Sequence, residues 1–158
     1  MTACAKCGYD ADAPVESVLQ AFIRRDVKSM NDHRVNAGTA RWDYKRERDA
    51  WVSHLRMVFD RLTRTAIGQK RRRVTITREW GPRCREFDRD NLVGGCKVVV
   101  DALVRAGLLV GDSEEWAEVH YEQRSGGPGG VGTWIRIETL AQLVQGDVAT
   151  PDSRGGEG

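Results

Sequence analysis

The chain has 158 residues, 40% hydrophobic and 30% charged, with 25 Lys and Arg against 23 Asp and Glu for a formal net charge of +2. That length suits one domain with a real core. No apolar run nears the roughly 20 residues that span a bilayer, and the start carries no basic stretch followed by an apolar one, so a cytoplasmic protein is expected rather than a membrane or exported one.

In chain order, the first 17 residues read as an extension carrying Cys4-x-x-Cys7, residues 18 to 144 as the domain, and 145 to 158 (QGDVATPDSRGGEG) as a disordered tail. Residues 18 to 28 (VLQAFIRRDVK) predict a first strand. From about Trp42 to Ala66 the spacing predicts a helix, with Trp51, Leu55, Val58 and Leu62 on one stripe, Val52 and Phe59 beside it, and Gly68 as its stop. Val74, Ile76 and Trp80 alternate with Thr75, Thr77 and Glu79, a strand that Gly81-Pro82 ends. A second helix is expected from about Asp90 to Ala106, stopped by Gly107. Two alternating runs, around Ala117 to Tyr121 and Thr133 to Ile137, flank SGGPGGVG (125 to 132) and predict a hairpin with a long tip. The tip reads first as a mobile loop and second as a flap that closes over DNA. The expected fold is α+β, a single small domain with a mixed sheet and two main helices, in the order strand, helix, strand, helix, strand, strand.

Counted by segment, the charge is polarised. Residues 41 to 85 carry fourteen basic and five acidic groups, whereas residues 86 to 158 carry six basic and thirteen acidic groups. Arg61, Arg64, Lys70, Arg71, Arg72, Arg73 and Arg78 fall in a stretch without an acid. Such a run suits contact with a phosphate backbone, and its plainer reading is a solvated face.

The chemistry concentrates in residues 85 to 116. At about 100° per residue, Asp90, Gly94, Lys97 and Asp101 share a stripe of the second helix, while Leu92, Cys96, Val99 and Leu103 face elsewhere, toward a core. Asp88 precedes the helix and Asp112 follows its glycine stop, so three aspartates, Asp88, Asp90 and Asp112, are expected to converge. Carboxylate oxygens suit Mg²⁺, which can activate water and neutralise a phosphodiester under attack, and Lys97 would stabilise the phosphate. Taken singly, Asp88 or Asp90 also reads as a helix cap, Asp101 as an i, i+4 partner of Lys97, and Asp112 as a turn residue.

Asp88-Arg89-Asp90-Asn91-Leu92, Lys97, Asp101-Ala102-Leu103, Ala106-Gly107-Leu108 and Gly111-Asp112-Ser113, in that order, resemble the motifs of the RusA-type Holliday junction resolvases. The resemblance implies a homodimeric, Mg²⁺-dependent endonuclease of phage or bacterial origin, with Mn²⁺ as a substitute metal, that nicks four-way DNA junctions symmetrically. It assigns catalysis to Asp88, Asp90, Asp112 and Lys97, with Asn91 and Asp101 on further motif positions. Two departures stand out: the family often has two adjacent aspartates where this chain has Gly111-Asp112, and the interval from Asp90 to Lys97 is longer than in the family's shortest members. Two alternatives remain open, a non-catalytic DNA-binding module and a flap or fork nuclease with the same metal chemistry. Zinc at Cys4 and Cys7 is not expected, because a structural site needs four ligands and Cys84 and Cys96 are remote. His33 and His54 have no partner spacing and read as surface or satisfied core residues, and His120 lies on a strand near the acidic cluster in chain order, which assigns it no role.

Overall fold

In the computed structural model, residues 14–33, 40–60, 70–127 and 130–141 are described. Strand β1 (Val15–Ile23) is followed by a 3₁₀ turn (Met30–His33), helix α1 (Ala40–Val58), strand β2 (Arg72–Trp80), helix α2 (Arg89–Ala106), and strands β3 (Ala117–Ser125) and β4 (Gly132–Leu140). This is the α+β order expected. No helix among the described residues is long and apolar enough to cross a membrane.

The sheet runs β1-β4-β2-β3. β2 pairs parallel with β3 and antiparallel with β4, and β4 pairs antiparallel with β1. The expected β3-β4 hairpin is therefore corrected, because β2 lies between its two strands. Val74 and Ile76 are fully buried, and this apolar strand takes a centre position where both edges are paired. The segment joining β3 to β4 must then cross two strand spacings, roughly 10 Å, which a two-residue turn cannot span. It passes the end of β2, where the Gly126 N–H donates to the Trp80 carbonyl at 2.9 Å.

Both helices pack on one face of the sheet around a core that includes Trp51, Leu55, Val74, Ile76, Cys96, Val99, Leu103 and Ile135. Leu92, Cys96, Val99 and Leu103 are buried as their spacing predicts. On α1 the stripe turns: Val52, Leu55 and Phe59 are buried, whereas Val58 is 43% exposed and is the last residue of the helix. The expected helix ends early, since Phe59 and Asp60 are described and not helical; its residues 61 to 66, with Arg61, Leu62 and Arg64, lie outside the described residues, as do Gly68, Cys4, Cys7 and the tail. β1 begins at Val15, three residues before the expected strand, and stops at Ile23.

The other sheet face is a lattice of ion pairs. Arg73 meets Glu118 and Glu138, Arg136 also meets Glu138, Arg124 meets Glu79, and His120 Nε2 shares a hydrogen bond with Glu118 at 2.5 Å. His120 therefore belongs to this face.

Candidate functional site

α2 has the termini its sequence announces. Asp88 is the N-cap, its Oδ1 accepting from the Asn91 backbone N–H at 2.8 Å. The Asn91 side chain returns a bond, Nδ2 donating to Asp88 Oδ2 at 2.5 Å. These bonds, the backbone one first, hold the Asp88 carboxyl below its ordinary range. Gly107 ends the helix at φ 81°, its N–H donating to the carbonyls of Leu103 and Val104. Only glycine adopts that left-handed conformation without strain.

Two adjacent glycines let the chain cross α2 closely. A Cβ at Gly95 would stand 2.0 Å from the Lys28 carbonyl oxygen, and one at Gly94 would stand 2.3 Å from Met30 Sδ. The 27–31 segment rests in the space these missing side chains leave, and it delivers Ser29, whose hydroxyl donates to Asn91 Oδ1 at 3.2 Å. Glu47 on α1 secures the same segment, accepting from Arg25 at 2.8 Å and Lys28 at 2.7 Å. Burial alone would raise the Glu47 carboxyl, but the bonds and charges of Lys28 and Arg25 outweigh it and hold the group below its ordinary range.

The loop before α2 is anchored from two strands. Arg78, 1% exposed, forms a two-pronged pair with Asp26 at 2.8 and 3.1 Å, donates to the Arg85 carbonyl, and stacks 3.7 Å from the centre of the Phe87 ring. Gln123 on β3 clamps the Phe87 backbone, accepting from its N–H at 3.0 Å and donating to its carbonyl at 2.6 Å. These bonds fix where Asp88 begins the helix. Ser29, Asn31, Arg85, Glu86, Phe87, Asp88 and Asn91 line a cleft of about 510 Å³ beside that terminus.

Nearer the other end of α2, Lys97 Nζ lies 3.9 Å from Asp101 Oδ1 and 3.8 Å from Asp112 Oδ2. Tyr44 on α1 donates its hydroxyl to Asp101 Oδ2. Burial first, then Asp101 as acceptor and neighbouring charge, pushes the Tyr44 phenol well above its ordinary range, so it remains a donor.

Lys97, Asp101 and Asp112 are therefore brought together, and Asp88 and Asn91 form a second group. Asp90 lies on the exposed first turn, about 10 Å along the axis from Lys97. Among the described residues, no three His, Cys, Asp or Glu side chains are grouped closely enough to hold a metal ion. The donor chemistry still fits a hard cation: Asp101 and Asp112 aim carboxylate oxygens at one positive charge, and Mg²⁺ commonly takes one or two carboxylates with phosphate and water completing its shell. Lys97, with 64% of its side chain exposed, is free to swing away from them.

The expected phosphate grip is corrected in part. Arg72 is 2% exposed and bonded to Thr139 at 2.8 Å, and Arg78 is buried against Asp26, so neither can reach a ligand outside the fold. Their charge is spent on neighbours more than fifty positions away, which local charge counting does not see. Lys70 pairs with Glu16, and Arg73 with Glu118 and Glu138. Arg83, Arg85 and Arg89, by contrast, are exposed around the start of α2. Sequence reasoning also missed Tyr44, Gln123 and Asp26, each distant in sequence from the residue it serves. Comparison with protein-family models and with curated proteins finds no match to this chain.

Proposed function

We propose that the chain is a Mg²⁺-dependent endonuclease that cuts branched DNA, four-way junctions foremost, as its resemblance to the RusA-type resolvases implies. The observation that carries the reading is the meeting of Asp101 and Asp112 at Lys97, on a helix whose N-terminus is ringed by exposed arginines. Asp112 and Asp101 would hold the ion, with Asp90 farther along the same stripe. When bound, the ion would lower the pKa of a water and offset charge developing on the phosphodiester.

The protein's own residues supply the rest. Lys97 presents an ammonium to the phosphate, where a positive charge favours the transition state over the ground state. Tyr44 holds Asp101 in one orientation. Asn91, braced by Asp88 and Ser29, offers a fixed amide, and Arg85 and Arg89 meet the backbone on either side of Asp88. Two nicks on opposing strands need two such sites, so the active species is a homodimer whose two-fold axis matches the junction's.

The lack of a group of three acids among the described residues favours one other reading, a DNA-binding module without catalysis. One experiment separates the two. The purified protein is incubated with a four-way junction and with matched duplex, in Mg²⁺ and in EDTA, and nicks are mapped on sequencing gels. Paired nicks in the junction alone, lost in EDTA, are expected; binding without nicks would leave the module.

A further inference from the structure

The first turns of α1 carry a feature that catalysis by the acid and lysine cluster does not use. Trp42 is 71% exposed. Its indole borders a cleft of about 530 Å³ whose other walls are Tyr44, Lys45 and Arg48. Lys45 Nζ stands 5.8 Å from the centre of the Trp42 ring, and Arg48 leans toward Asp49 at 3.1 Å. Tyr44 connects this cleft to the site, since the side chain that forms one wall also donates to Asp101.

The lining specifies the ligand's chemistry. This cleft sets two aromatic side chains, Trp42 and Tyr44, beside the ammonium of Lys45 and the guanidinium of Arg48, so a purely apolar partner would leave two cations unanswered. That set suits a planar aromatic group attached to negative charge. We infer that the cleft receives an unpaired nucleobase of the bound DNA, stacked on Trp42, with the flanking phosphates met by Lys45 and Arg48. In a duplex the base faces are covered by their neighbours, whereas DNA at a branch point or gap exposes them, and stacking on an aromatic side chain tolerates any base. The inference rests on the nuclease reading for the presence of DNA and adds to it a means of preferring disrupted helices.

The test uses the full-length protein in EDTA, with fluorescence anisotropy on two labelled DNAs: a perfect duplex, and the same duplex with a short single-stranded gap holding 2-aminopurine. Trp42→Ala should weaken binding to the gapped DNA about 5- to 100-fold and leave duplex binding unchanged. Trp42→Phe, which keeps a ring, should retain most of the affinity. Wild-type protein should quench the 2-aminopurine emission and Trp42→Ala should not. If wild-type protein binds both DNAs and Trp42→Ala alters neither, or both equally, the stacking site is refuted while the DNA reading stands. If wild-type protein binds no DNA, both fall. Loss of a dimer in Trp42→Ala without change in DNA binding would make Trp42 a contact between copies and overturn the inference.

Discussion

Replacing Gly95 with alanine adds one methyl group to α2, a change that stabilises an exposed helix by about 1 kcal/mol. Here the sign should reverse. The new Cβ would stand 2.0 Å from the Lys28 carbonyl oxygen, more than 1 Å inside the roughly 3.3 Å of an ordinary carbon–oxygen approach. The obstacle is backbone, which cannot rotate aside as a side chain can, so the cost belongs at the upper end of the about 1–3 kcal/mol of overpacking. Setting about 3 against the gain of about 1 leaves a net loss of about 2 kcal/mol, or a fall in Tm of about 4–8 °C for a domain of this size. The same displacement moves Ser29 away from Asn91, so junction nicking should fall more than the loss of folded protein explains. Gly94→Ala, whose added carbon has its three nearest contacts in the Met30 side chain rather than in backbone, should lose less. Calorimetry on both variants, beside a nicking assay at a temperature where both are folded, checks the argument. A Gly95→Ala protein that melts at or above the wild-type temperature would refute it.

Asp112→Asn should abolish nicking and leave junction binding in EDTA intact or tighter, because it keeps the side chain's shape and removes a carboxylate that would hold the ion beside Lys97; a folded variant that nicks at the wild-type rate would remove Asp112 from the site. Arg78→Met leaves Asp26 and the Arg85 carbonyl without their donor, and should cost about 2–3 kcal/mol in urea unfolding, below the about 3–5 of a wholly buried pair because Asp26 is partly exposed. Glu47 has its carboxyl lowered in the folded state, so it contributes stability that is complete above the ordinary value near 4.5 and lost as pH falls through its depressed one. Glu47→Gln should flatten the acid limb of the Tm-against-pH curve and lower the plateau. The Cys96 thiol, pushed up to about 12 by burial, should resist iodoacetamide at pH 8 while exposed Cys84 is alkylated, as peptide mass spectrometry would read.

What the sequence made legible was what neighbours along the chain decide. The limits of α2 follow from Asp88 and Gly107, and its buried arc from 3.6-residue spacing, because caps and periodicity are local physics. The hairpin failed for the opposite reason. Alternation in β3 and β4 identifies strands but not their partners, and β2 took the place between them. The arginines failed similarly: Arg72 and Arg78 look like the other basic residues of the run until Thr139 and Asp26 arrive from β4 and from the segment after β1. Spacing also put Asp90, Lys97 and Asp101 on one stripe without showing what lies opposite, so Tyr44 and the distance between the stripe's two ends became visible only in three dimensions.

The strand order has a consequence for how the chain comes together during synthesis. β1 is made first and its partner among the described strands, β4, is made last, so residues 15–23 must wait with that hydrogen-bonding edge open until residue 140 has left the ribosome. The β2-α2-β3 unit, parallel and contiguous, can assemble earlier and presents the edge on which β4 docks. A nascent chain arrested near residue 126 should accordingly protect β2 and α2 from proteolysis while β1 is still cut. Completion of the sheet is then a single late closure that joins both ends of the domain, which makes β4 the element whose lesions leave the most surface exposed to aggregation.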